Sequence, residues 1–90
     1  GDLARERANT PDPFQYYVQV GAFRSAEEAE ALRAKLSLAG YDPKVSMREV
    51  AGRQLHRVRI GPIDSKTQAE EVQQKLNASK MASALVRVQR

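Results

Sequence analysis

Hydrophobic and polar residues alternate along four short segments of the chain, and two longer segments between them show helical spacing. Strict alternation is typical of a half-buried β-strand. The pattern predicts strands over residues 16–23, 43–50, 54–60 and 84–89. In the first strand it places Tyr16, Val18, Val20 and Ala22 on one side and Tyr17, Gln19 and Gly21 on the other. It leaves open which side of the last strand faces the core.

The chain matches itself without a gap when it is displaced by 40 residues. From pair 18/58 to pair 36/76, seven of the nineteen pairs are identical. Both copies read strand, glycine, short turn, serine, helix. Ser25 with Glu28 and Ser65 with Gln68 have the spacing of helix capping boxes, and Gly40 suits the position after the first helix. Two copies predict a pseudo-twofold domain, since a solenoid needs three or more repeats.

The predicted order is therefore βαββαβ, an α+β fold. We expect a two-layer sandwich of ferredoxin-like or RNP-like type, with a four-stranded antiparallel sheet in the order 4-1-3-2 and both helices on one face. Residues 14–90 form this domain, and residues 1–13 are predicted to be a flexible linker or tail. The other face of the sheet stays uncovered, as antiparallel sheets allow.

The uncovered face is the candidate binding surface. An aromatic ring can lie against a sugar or a base, an amide matches hydroxyl and acetamide groups, and a guanidinium holds a carboxylate or phosphate. A glycine allows a ligand to approach the backbone. The alternative is that these side chains are only the solvated face of a sheet. The residues placed there are Tyr17, Gln19, Gly21, Leu55, Arg57 and Arg59.

Charge and composition narrow the range of possible functions. The net charge is +4, and residues 43–60 hold five basic residues against one acidic residue, so a polar or anionic partner is favoured. The absence of cysteine excludes disulfides, thiolate zinc sites and cysteine nucleophiles, and one histidine cannot build a histidine-rich metal site. We expect no metal or other cofactor. The apolar runs are too short for a membrane span, so no direct membrane insertion of this domain is expected.

Catalysis and nucleic-acid binding are the weaker alternatives. Ser25 and Ser65 are better explained as helix caps than as nucleophiles, and His56 as a core or rim residue. An RNA-recognition domain would show an aromatic signature in its third strand. The third strand, Gln54–Ile60, contains no aromatic residue. A nucleic-acid or protein-interaction module using the same basic face stays open as the alternative to a glycan-binding module.

Two strings of the repeat resemble the signature segments of the SPOR domain, a peptidoglycan-binding module found in bacterial cell-division and rare-lipoprotein-A-like proteins. The resemblance covers about residues 14–90. Both strings are followed by a serine-capped helix, and the pair is more specific than either string alone. They are Tyr17-Val18-Gln19-Val20-Gly21-Ala22-Phe23 and Arg57-Val58-Arg59-Ile60-Gly61-Pro62-Ile63.

The resemblance implies a non-enzymatic domain that binds glycan strands lacking stem peptides and carries its parent protein to the division septum. The implied location is the bacterial periplasm or cell envelope, with a membrane- or lipid-anchored parent, and we expect the domain to be a monomer. The family's binding positions correspond to Gln19, Ala22, Leu55 and Arg57. Relatives commonly have a serine at Ala22 and an aromatic residue at Leu55; Tyr17 or Arg59 could compensate for the missing contacts.

Overall fold

The structure, a computed structural model, describes residues 12–90; most of the predicted linker lies outside the described residues. Its elements are β1 (Phe14–Phe23), α1 (Ala26–Leu38), β2 (Pro43–Val50), β3 (Arg53–Ile63), α2 (Lys66–Ala78) and β4 (Ala84–Gln89). The four strands form one antiparallel sheet in the order β2-β3-β1-β4, which confirms the predicted α+β fold and strand order. No helix among residues 12–90 is long and apolar enough to cross a membrane.

The two helices begin at the predicted serines. Ser25 Oγ accepts hydrogen bonds from the backbone N–H groups of Glu27 and Glu28, at 3.2 and 3.4 Å. Ser65 Oγ accepts one from the N–H of Gln68 at 3.1 Å. Each hydroxyl satisfies a backbone donor that the first turn of a helix leaves unpaired. The helices therefore start at equivalent points of the two repeats.

The core lies between the helices and one face of the sheet. The strand residues Val18 and Val58 are fully buried there, and they are equivalent positions of the 40-residue repeat. The helices contribute two further equivalent pairs, which are Ala29 with Ala69 and Leu36 with Leu76. Because both residues of each pair are buried to the same extent, the repeat in the sequence appears in the structure as a symmetrical core.

The two ends of the domain are tied together. The backbone N–H of Arg90 donates to the carbonyl of Pro13 at 3.1 Å, and Arg90 Nε donates to the carbonyl of Asp12 at 2.7 Å. The same guanidinium reaches Asp64 Oδ1 at 3.2 Å, in the turn before α2. Contacts of the folded domain thus extend to Asp12, two residues before the predicted boundary.

A β-bulge in β1 overturns the predicted placement of Gly21 and Ala22. The pairing with β3 shifts between Gln19, which lies opposite Arg59, and Gly21, which lies opposite the buried Val58. A bulge adds one residue to a strand and so reverses the alternation of side chains beyond it. Gly21 consequently faces the helices and Ala22 faces the uncovered side. The prediction that Gly21 lies on the uncovered face is wrong, and so is the prediction that Ala22 points inward.

The structure also settles the facing of β4. Leu85 lies opposite Val18 and packs against the core. Ala84 and Val86 lie opposite Gln19 and Tyr17, so the side chains of these two β4 residues point away from the helices.

Candidate functional site: the uncovered sheet face

The face of the sheet opposite the helices, called the open face below, is strongly basic. The strand register assigns its members, since residues opposite each other in antiparallel strands share a face. Five of them are lysine or arginine and, among residues 12–90, no strand residue assigned to this face is acidic. The members are Gln15, Tyr17, Gln19, Ala22, Lys44, Ser46, Arg48, Val50, Arg53, Leu55, Arg57, Arg59, Ala84, Val86 and Val88.

Two cross-strand pairs bring four predicted site residues together. Gln19 of β1 lies opposite Arg59 of β3, and Ala22 lies opposite Arg57. Directly opposed residues have Cβ atoms about 4.5–5.5 Å apart. The amide and the two guanidinium groups therefore occupy neighbouring positions at the centre of the sheet, where β1 and β3 are adjacent.

Tyr17 is joined to this group through Arg59. The guanidinium carbon of Arg59 lies 4.3 Å from the centroid of the Tyr17 ring, within the range of a cation–π contact. The ring also lies close to the backbone of Gly61, where an added Cβ would be 3.0 Å from Tyr17 Cδ1. The ring is thus held by its neighbours on β3.

Arg57 lies in less favourable surroundings than a fully solvated arginine. It is half-buried, and this burial lowers its pKa; the positive charges of Arg59 and Arg48 lower the pKa further. Its Nε is buried and has no hydrogen-bond partner among the protein groups of residues 12–90. An arginine in these surroundings costs free energy unless an acceptor or an anion joins it.

Leu55 lies on the same face but away from β1. Its cross-strand partner is Arg48 of β2. Strand β3 begins to pair with β1 only at the next residue, where His56 lies opposite Phe23. Leu55 is half-buried and two residues from Arg57 along β3. It therefore extends the group of Gln19, Ala22 and Arg57 toward the hairpin.

A family model described as "SPOR domain" matches residues 12–87. The chain belongs to the SPOR domain family. This match confirms the predicted family, and it covers every residue of the open face except Val88.

A known protein from two strains of one bacterium resembles this SPOR domain. The chain is 40% identical over 66 residues to the "Endolytic peptidoglycan transglycosylase RlpA" of two strains of Pseudomonas aeruginosa, UCBPP-PA14 and PAO1. The match covers 72% of this chain and only 19% of each relative, so the chain corresponds to about a fifth of those proteins.

Two solved structures share the fold. The crystal structure of the RlpA SPOR domain from P. aeruginosa has a TM-score of 0.71 and 36% identity, over 81% of this chain and 99% of that chain. The solution structure of the peptidoglycan binding domain of the B. subtilis cell wall lytic enzyme CwlC has a TM-score of 0.70 and 25% identity, and the match covers 89% of this chain and 96% of that chain.

Strand β2 of this SPOR domain adds candidate site residues that were not predicted from the sequence. Lys44 lies opposite Arg59, Ser46 opposite Arg57 and Arg48 opposite Leu55. The signal was present in the sequence, because these three polar residues alternate with Val45 and Met47. The significance of that alternation depends on the register of β2 with β3, which the sequence does not show.

A cleft of about 290 Å³ opens beside these residues, at the end of the open face near Gly61 of β3. Tyr17, Lys44, Ser46 and Arg59 contribute to its walls. The cleft thus connects residues predicted from the sequence with two residues of β2.

Proposed function

We propose that the open face of this SPOR domain binds peptidoglycan glycan strands that have lost their stem peptides. Binding of such strands would bring the protein that carries the domain to the division septum, in the bacterial cell envelope. The ligand class is supported by the similarity to the peptidoglycan binding domain of CwlC, which shares 25% of its sequence with this chain.

The observation that carries the proposal is the cross-strand placement of Gln19 with Arg59 and of Ala22 with Arg57. Removal of a stem peptide frees the lactyl carboxylate of N-acetylmuramic acid, so the bare strand is a repeating acidic glycan. Guanidinium groups bind carboxylates, and the Gln19 amide matches the acetamide groups of the sugars.

Rejection of strands with peptides follows from the same chemistry. An attached peptide converts the carboxylate to a neutral amide, which removes its attraction to the five cations of the open face. The peptide also adds bulk next to the sheet. Selectivity would therefore have an electrostatic and a steric component.

The proposed activity is binding without catalysis. The hydroxyls of Ser25 and Ser65 are occupied as acceptors from helix N–H groups, which is a capping role. Any cleavage of peptidoglycan would belong to other parts of a longer protein; RlpA as a whole is named an endolytic peptidoglycan transglycosylase.

Sedimentation with purified sacculi tests the proposal. Sacculi treated with an amidase that removes stem peptides should retain more of the domain than untreated sacculi. Gln19→Ala and Arg57→Gln should each lower the affinity for treated sacculi roughly tenfold, since each removes a hydrogen bond to the ligand. Equal retention on both kinds of sacculi would contradict the selectivity.

Matched controls lie on the helix side. Gln74 and Lys75 are exposed residues of α2. Gln74→Ala removes an amide and Lys75→Gln removes one positive charge, both away from the open face. Both controls should bind like the unaltered domain. Binding of RNA at physiological salt without preference for treated sacculi would instead favour the nucleic-acid alternative.

A further inference from the structure

We propose that Ser46 and Arg57 together bind a carboxylate of the glycan, so that β2 supplies a carboxylate-specific subsite to the open face. This inference rests on the proposed function and names the group of the ligand that this half of the sheet binds.

Two buried polar atoms mark the subsite. Ser46 Oγ and Arg57 Nε have no hydrogen-bond partner within the described part of the chain, residues 12–90. They belong to residues that lie directly opposite each other on β2 and β3. Buried polar groups in proteins are normally paired, and two unpaired groups at one cross-strand position are therefore unusual. A ligand that supplies the missing partners would remove this cost.

The chemistry of the two atoms indicates an acceptor with two oxygens. The Nε–H group of arginine can only donate, and the serine hydroxyl can donate as well. A carboxylate can accept both hydrogen bonds, one at each oxygen, and hydrogen bonds to an ionised acceptor are stronger than neutral ones.

The surrounding charges favour the same group. Arg48 and Arg59 lie close enough to Arg57 for their charges to act on it, and Lys44 lies opposite Arg59. All four are positive, so they repel one another and would be stabilised together by one negative charge. A neutral hydroxyl or acetamide would fill the hydrogen-bonding positions without relieving this repulsion.

The subsite borders the cleft: Ser46 lines it, and the buried Arg57 Nε belongs to the cross-strand partner of Ser46. Ser46, Lys44 and Arg59 contribute to the walls of the 290 Å³ cleft described above. No helix or strand of residues 12–90 covers the open face, so only neighbouring side chains shield the two atoms from solvent. Rotation of those side chains would admit the carboxylate.

The test compares two soluble glycans by calorimetry. One is a peptide-free muramyl oligosaccharide, and the other is the same oligosaccharide with its carboxylates chemically reduced to alcohols. The unaltered domain should bind the carboxylate form at least about tenfold more tightly, because a hydrogen-bonded charge is lost on reduction. Equal affinity for the two glycans would overturn the inference and the electrostatic part of the proposed selectivity, and would leave glycan binding itself intact. Binding of neither glycan would overturn both.

Ser46→Ala is the decisive variant. It should weaken binding of the carboxylate glycan about fivefold or more, with a much smaller effect on the reduced glycan. Its Tm should stay the same or rise, since the variant removes a buried hydroxyl that has no protein partner. Ser46→Thr keeps the hydroxyl and should keep the preference for the carboxylate. Ser37→Ala, on an exposed position of α1, is the control. An unchanged preference in Ser46→Ala, or an equal loss with both glycans, would show that Ser46 does not bind the carboxylate.

Discussion

The guanidinium carbon of Arg59 lies 4.3 Å from the centroid of the Tyr17 ring, so the two side chains cover part of each other. From the sequence alone, the Tyr17 ring is expected to stack against a sugar and Arg59 is expected to bind an anion. In the structure they form one unit, and a sugar would meet the pair rather than a free ring. The contact also limits the rotamers of Arg59 next to Gln19.

Tyr17→Leu should therefore weaken glycan binding through Arg59 as well as through the lost ring. A cation–π contact at an exposed site is worth about 0.5–1 kcal/mol. We expect Tyr17→Phe to retain most of the affinity, because the phenyl ring still holds the guanidinium. A double-mutant cycle of Tyr17→Leu with Arg59→Gln, measured by calorimetry, should give a coupling of similar size. Strict additivity of the two substitutions would show that the pair does not act as a unit.

A side chain at Gly21 is expected to crowd the Phe23 and Leu32 side chains. A Cβ at this position would lie 2.9 Å from the Phe23 ring and 3.0 Å from Leu32 Cδ2. Gly21→Ala should lower the free energy of unfolding by about 1–3 kcal/mol, the usual range for overpacking a core. Urea denaturation measures this. A Gly21→Ala variant as stable as the unaltered domain would show that the Phe23 and Leu32 side chains move aside at little cost, which would contradict the expected overpacking.

The neighbouring residue is predicted to behave in the opposite way. Ala22 is exposed on the open face, opposite Arg57. Ala22→Ser should leave the free energy of unfolding within about 0.5 kcal/mol of its original value, as surface substitutions usually do. It should strengthen glycan binding a few-fold, roughly the effect of one added hydrogen bond. Weaker binding by Ala22→Ser would argue against a ligand contact at this position.

The contrast between Gly21 and Ala22 shows where sequence reasoning reached its limit. The strands and the helix caps follow from periodicity and capping residues, which are local signals. The internal repeat, at a displacement of 40 residues, and the βαββαβ order of elements add the layers and the strand order. The bulge depends on how β1 pairs with β3, and one extra residue reverses every later side chain. The alternation in the first string therefore predicted the correct face of the sheet for Tyr17 and Gln19, and it predicted the wrong face for the residues beyond Val20.

The candidate site was incomplete for a related reason. Gln19, Arg57 and Arg59 could be chosen from one strand at a time, whereas Ser46 became relevant only as the cross-strand partner of Arg57. Its hydroxyl is unremarkable in the sequence. The missing information was the register between β2 and β3, which a pattern along one strand does not contain.

The C-terminal turns of the two helices offer a test of the internal repeat. Gly40 follows α1 with a φ of +99°, and the equivalent Lys80 follows α2 with a φ of +61°. A residue other than glycine pays about 1–2 kcal/mol to adopt the left-handed backbone conformation. Glycine avoids this steric cost, but it loses more conformational entropy on folding, which offsets part of the gain. Lys80→Gly should therefore stabilise the domain by about 0.5–1 kcal/mol.

The reciprocal substitution is the matched control for Lys80→Gly. Gly40→Lys should destabilise the domain by a similar amount, because it places a side chain on the same kind of left-handed residue. Thermal unfolding of both variants measures the effect. Changes of the same sign in Lys80→Gly and Gly40→Lys would contradict the equivalence of the two turns.

The contacts of Arg90 with Asp12 and Pro13 have a consequence for attachment. The polypeptide enters and leaves the domain at a single corner, where Phe14 lies opposite Gln89. Gln19 is five residues along β1 from that corner, about 17 Å at the rise of an antiparallel strand. A tether at either terminus would thus emerge from the same edge, and the domain could swivel about that edge while its carbohydrate-facing side stayed unobstructed.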